Sequence, residues 1–155
     1  MSIALVRNPG EGQAYTYFGA ELENVVSTTE TDGVVTVSRL HMQRDEAPPL
    51  HVHSREDESW VVLSGRVRFW AGSTSLDTCE VHDAEPGAYI YGPRSVPHTL
   101  QPITSTAVIL TINSPGAVEG YFKGVGHTDT SRTADDIADL LAEYGVKILD
   151  NPPSA

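Results

Sequence analysis

The chain is nearly without cysteine, having one residue, Cys79, in 155. An intrachain disulfide is therefore excluded, and the cysteine content does not suit an oxidising compartment. Long apolar runs are also missing. No stretch approaches the roughly 18 apolar residues needed to cross a bilayer as a helix. No basic segment leading into an apolar run opens the chain, so a cytoplasmic location is expected. Basic residues are scarce, 10 against 21 acidic, giving a formal net charge of -11 and a pI near 4.8. Nucleic acid and anionic membranes reward clustered Lys and Arg, so neither is expected as a partner. The bland reading of this acidity is solubility.

What is present is a β pattern. Ala14 to Phe18 and Glu21 to Thr28 read as strands, and Asp32-Gly33 marks a turn before the β-branched run Val34 to Met42. Alternation sets Val35, Val37, Arg39 and His41 on one face and Thr36, Ser38, Leu40 and Met42 on the other. Polar residues on both faces suit a barrel with a ligand cavity inside. Glu58 to Leu63 and Arg66 to Ala71 form a hairpin about Ser64-Gly65, followed by strands at Thr78 to Val81, Ala88 to Tyr91, His98 onward and Thr106 to Asn113. After Asn113 the period changes from two to 3.6. A short helix follows Ser114-Pro115, with Val118, Phe122 and Val125 on one face and Gly124 and Gly126 at its end. A second starts near Thr133, with Asp135 and Asp136 in its first turn, an apolar stripe of Ile137, Leu140, Leu141 and Tyr144, and Gly145 as its stop. The expectation is one domain over residues 1–155, with a core at about 14–113 and a helical tail at 114–149. A chain of this length buries about 70% of its unfolded surface and needs no staples.

The chemistry concentrates in Leu50 to Gly65. His51 and His53 are two apart on a strand and project from one face, presenting two imidazoles to one point. Pro48-Pro49 stiffens the entry to that strand. Glu58 follows after a polar turn and shares its face with Trp60 and Val62. Imidazole and carboxylate together suit a divalent first-row metal, which usually takes a further ligand from elsewhere. The best candidate is His98, in Pro93-Arg94-Ser95-Val96-Pro97-His98.

The spacing His51-x-His53-x4-Glu58-x6-Gly65 resembles the first motif of the cupin superfamily, and Gly87-x5-Pro93-x4-His98 resembles its second. The resemblance runs from about Val34 to Asn113, and it implies a jelly-roll β-barrel. It also implies one divalent transition metal per chain on His51, His53, Glu58 and His98, with Fe, Mn, Ni, Co, Cu and Zn all admissible. Three motif positions depart from the family pattern, with Asp45 and Ser95 at positions usually held by glycine and Pro102 at one usually held by asparagine. None is a ligand position, so they bear on turn geometry. A single copy of each motif implies a monocupin. The tail around Pro115 to Phe122 resembles that of quercetinase-like members, where this segment caps the barrel. All-β architecture with two short helices packed outside is expected, and a homodimer, because an N-terminal strand can cover a partner's open sheet edge.

Each candidate has a plainer reading. His82 and His127 sit beside turn residues and read as solvated, while His41 is either a satisfied histidine or part of a cavity wall. Glu56 and Asp57 read as a solvated acidic turn. Trp60, Val62, Tyr89, Tyr91 and Phe122 are candidate pocket residues for a small organic substrate, although large aromatics commonly serve as plain core. Cys79 has no mark of a nucleophile, and Arg94 pairs either with an anionic ligand or with a nearby carboxylate.

The leading functional expectation is a quercetin dioxygenase-like enzyme, acting on an aromatic or enolisable substrate such as a flavonol. In it Glu58 is both ligand and general base. A non-redox isomerase or cyclase of a keto compound uses the same residues with the metal stabilising an enolate. A binding domain without turnover is the third possibility.

Overall fold

A computed structural model describes residues 4–125 and 133–154. Among the described residues, eleven strands form two antiparallel sheets. They are β1 (Gln13–Tyr17), β2 (Ala20–Val26), β3 (Thr36–Gln43), β4 (Leu50–His53), β5 (Asp57–Ser64), β6 (Val67–Ala71), β7 (Glu80–Ala84), β8 (Tyr89–Gly92), β9 (His98–Pro102), β10 (Thr106–Ser114) and β11 (Val146–Asp150). One sheet has the order β1-β2-β3-β10-β5-β8 and the other β11-β4-β9-β6-β7. This is the jelly-roll arrangement expected from the sequence.

Period-two patterning decides which side chains meet between the sheets. On β3 the buried set is Thr36, Ser38, Leu40 and Met42, and on β10 it is Ala107, Ile109, Thr111 and Asn113. Trp60 and Val62 from β5 join Leu22, Leu40 and Ile109, and across the barrel stand Val67, Phe69 and Leu100. Each fully buried Leu or Ile contributes about 1.5–3 kcal/mol. The interior is not uniformly apolar. Register sets Asn113 beside both Glu58 and Thr36, and Thr111 beside both Trp60 and Ser38. One end of the barrel is hydrocarbon and the other carries buried polar groups.

The tail differs from expectation. Helix α1 (Glu119–Val125) turns Tyr121 and Phe122 into the core, and α2 (Ala134–Glu143) starts on a Thr133 cap whose hydroxyl accepts from the Asp136 N–H. Leu141 is the buried member of the α2 stripe. After Gly145 the chain is not helical tail but strand β11, which pairs with β4 so that Val146 faces His53 and Ile148 faces His51. Gly126 and His127 lie outside the described residues. The strand expected at Thr78 to Val81 is displaced to Glu80–Ala84, because Arg68 on β6 pairs with Asp83 (2.7 Å) and a helical turn occupies Leu76–Thr78. His41 faces outward, 4.0 Å from the buried Glu23 carboxylate, and has no place on the interior wall.

Gly65 illustrates how tightly the β5–β6 turn is specified. Its φ is +71°, and a Cβ there would run into the Thr106 carbonyl and come within 2.9 Å of Ala107 Cα. Gly65→Ala is expected to lower stability by about 2 kcal/mol or more, from left-handed backbone strain plus the clash. A urea denaturation midpoint unchanged within error would contradict this.

Candidate metal centre

Backbone pairing brings the first two elements of the site together. The β4–β9 ladder sets His51 directly opposite His98. His53 lies two residues along β4 on the same face, and Glu58 enters from β5 in the other sheet. The loop before His98 is tied to the turn before Glu58. Arg94 donates to Asp57 through its backbone N–H (2.9 Å) and its guanidinium (3.0 Å), and the Ser95 N–H donates to the His53 carbonyl (2.7 Å). Ser95 holds φ +68°, so it adopts the left-handed conformation that glycine would take there. The departure from the motif is therefore in residue type and not in turn shape.

Each histidine is aimed by its Nδ1. That of His51 meets the Pro49 carbonyl at 2.7 Å, that of His98 meets the Val96 carbonyl at 3.0 Å, and that of His53 meets Glu56 Oε1. An Nδ1–H donated to an oxygen leaves Nε2 as the bare lone pair. The Nε2 atoms of His53 and His98 then face one oxygen, Glu58 Oε2, at 3.2 and 3.1 Å. One ligand atom from each of His51, His53, Glu58 and His98 lies within 4.8 Å of the others, and all four residues are buried. His53 Nε2 has no hydrogen-bond partner. Lone pairs and a carboxylate turned toward one another repel unless a cation lies among them, so the donor set fits a divalent metal.

The electrostatics agree. Burial, aided by neighbouring His98 and His53, lowers the His51 pKa to about 3 and keeps it a neutral ligand. Burial also pulls His53 down, but the Glu58 and Glu56 carboxylates outweigh it and raise His53 to about 9. Burial would raise Glu58, yet His53 and His98 hold it well below the carboxylate range. Without metal, His53 therefore carries a second ring proton at neutral pH, on the Nε2 that faces Glu58, and a metal bound there would displace it.

Around this cluster is a cavity with about 20 Å³ of room for water centres, little more than one water. Tyr17, Leu22, Leu40, Trp60, Leu100 and Phe122 line it alongside His51, Glu58 and His98. Trp60 also braces His98, the ring centroids lying 4.9 Å apart, and its indole lies against Gly92, where a Cβ would come within 3.0 Å of the ring. Of the pocket residues expected from sequence, Trp60 and Phe122 reach the cavity. Val62 is buried in the core beyond it, and Tyr89 and Tyr91 are 63% and 57% exposed on the outer face of the edge strand β8. The correction has a simple cause: the inward set on β8 is Ile90 and Gly92, the opposite parity. Arg94 pairs with Asp57.

Glu56 is the second correction. It is not a solvated turn residue but 1% exposed and bonded to His53. The signal available in the sequence was the three-residue spacing from His53 across a tight turn. Tyr17 and Leu40 were also missed, since nothing local marks a cavity wall.

The cupin domain family model matches residues 38–113. These residues form a cupin domain. No curated protein sequence matches the chain. Among solved structures, a predicted oxalate decarboxylase from Thermotoga maritima is similar at 13% identity and TM-score 0.63, over 72% of this chain and 99% of that one. KdgF from Halomonas sp. is similar at 16% identity and TM-score 0.61, over 73% and 94%. Fe(II) HppE is similar at 16% identity and TM-score 0.58, over 71% and 60%. At these identities the likeness is one of fold. The putting together of both cupin motifs at one point rests on the geometry of this chain.

Two outcomes are expected for the metal centre. Because the second His53 proton must leave, metal binding at pH 7 should release about one proton, and affinity should fall about tenfold per pH unit from pH 8 to pH 6. Calorimetry in buffers of different ionisation enthalpy reads both, and a pH-independent affinity would contradict the assignment. Glu56→Gln should weaken metal binding by about 10- to 100-fold, the usual scale for losing a group that orients a ligand.

Proposed function

We propose that the chain is a metal-dependent oxygenase acting on a small enolisable or hydroxylated molecule. The observation that carries this reading is the convergence of three imidazole nitrogens and one carboxylate, with His51, Glu58 and His98 facing a cavity walled mostly by hydrocarbon and aromatic groups. A first-row metal bound by His51, His53, Glu58 and His98 supplies Lewis acidity toward a substrate oxygen, and redox capacity where the metal is iron, manganese, cobalt, nickel or copper.

The chain's own residues do the rest. Glu58 is the only carboxylate on the cavity wall among the described residues, so it is the group placed to accept the proton of an incoming hydroxyl or enol. Leu22, Leu40, Leu100 and Phe122 keep bulk water from the reacting oxygen. Size then narrows the substrate. Leu22, Leu40, Trp60, Leu100 and Phe122 crowd the cavity beside the ligands, so a small diketone or hydroxyketone suits it better than a flavonol. The fold likeness to Fe(II) HppE and to a predicted oxalate decarboxylase supports metal chemistry in this barrel.

The test combines elemental analysis of protein purified without chelators with oxygen uptake on small β-diketones and 2-hydroxyketones. A redox metal with oxygen consumption is the expected result. Zinc alone with no uptake would overturn the oxygenase reading in favour of isomerase or cyclase chemistry. Glu58→Gln should largely keep its metal while turnover falls by about 100-fold or more, the scale of losing a general base. Full turnover in that variant would rule out the base role.

A further inference from the structure

The wall of the cavity away from the ligands carries one phenol whose proton is unassigned. Tyr17 stands at the end of β1 and lines the same cavity as His51, Glu58 and His98. Its hydroxyl accepts a hydrogen bond from the Tyr121 hydroxyl at 3.1 Å, and both residues are buried. A phenol that accepts one bond still has its own O–H to give. Among the described residues nothing takes it. The Thr99 hydroxyl on the same wall is already spent on the Pro48 carbonyl at 2.7 Å.

Tyr17 is also held rigidly. Its ring is clamped edge-on by Phe18, Phe122 and Tyr121, with centroids at 4.9, 5.3 and 5.7 Å. The β1–β2 turn is the pair Phe18-Gly19, with φ of +46° and +90°. This is the geometry of a two-residue hairpin turn that favours Asn or Gly, so a phenylalanine in the first place is strained. Strain of this kind persists where the surroundings over-determine it, and here they fix the Tyr17 ring. Burial, with the Glu58 charge also contributing, raises the Tyr17 pKa, so the group stays a donor. Tyr17 lines the same cavity as His51, Glu58 and His98, so a molecule seated on the ligand cluster meets the tyrosine side of the wall.

We propose that Tyr17, positioned by Tyr121, donates a hydrogen bond to a second oxygen of the substrate, so that the site selects small molecules with two oxygen functions on adjacent or next-adjacent carbons. This rests on the metal site described under the proposed function and deepens it. One oxygen sits at the ligand cluster and the other at the phenol.

The test measures binding and needs no turnover. Protein loaded with one Co(II) per chain is titrated with glycolate, which has a carboxylate and a hydroxyl, and with acetate, which lacks the hydroxyl, following the visible spectrum. The wild type should prefer glycolate. Tyr17→Phe, which keeps the ring packing, should reduce that preference by about tenfold, the scale of one buried hydrogen bond, while acetate binding stays within about twofold. Tyr121→Phe should reduce it by a smaller factor in the same direction. A purely structural role predicts a lower melting temperature with an unchanged glycolate-to-acetate ratio, and that result in either variant overturns the proposal. Failure of the wild type to take up cobalt, or to respond to either probe, overturns the reading of the metal site and this proposal with it.

Discussion

The arrangement that the rest of the molecule serves is the pinning of three imidazoles by their Nδ1 atoms. Pro49, Val96 and Glu56 each supply an oxygen, and the three bonds turn the Nε2 lone pairs inward toward Glu58. Such a cluster is costly without a cation, because buried lone pairs and a buried carboxylate have given up water for no partner. The surrounding fold holds it by multiple attachments. Asp57 and Arg94 lock the two loops that deliver Glu58 and His98, and β11 covers the outer edge of the strand that carries His51 and His53.

A second constraint follows from the first. Once the ligands are buried, the space between the sheets must be filled by groups that do not compete for the metal. Trp60 and Phe69 do this around His98, and the α1 residues Tyr121 and Phe122 fill the end of the barrel. Ion pairs such as Glu119 with Lys123 (2.5 Å), together with the Glu119 bond to the Thr28 N–H, seat α1 in that position. The result is a narrow, largely apolar site in which a hydrogen bond or a charge acts more strongly than it would in water.

Much of the site was legible because its rules are local. Two histidines at strand spacing share a face, and a carboxylate opening the next strand is placed by the same alternation. His98 needed the family resemblance, since its meeting with His51 depends on a ladder between strands separated by more than forty residues. The misreadings share one cause. Alternation says which side chains go together but not which set is inward, so the expectation points Tyr89 and Tyr91 inward where Ile90 and Gly92 in fact meet the core. Glu56 was read as solvated because a polar turn usually is, and only the backward fold of that turn onto His53 buries it. Strand β11 escaped because Val146 to Asp150 is short and follows a helix, and its pairing with β4 is tertiary. The fold class was legible throughout, since period-two patterning repeats along the whole core.

The central claim is that three imidazoles and one carboxylate hold a single divalent metal. X-ray absorption at the metal edge, on protein loaded to saturation with Co(II) and checked by elemental analysis, tests it most directly. The account predicts one metal per chain, a first shell of nitrogen and oxygen at about 2.0–2.2 Å, and the outer-shell scattering of three imidazole rings. A sulfur shell from Cys79, fewer than two imidazoles, or a stoichiometry other than one would contradict it.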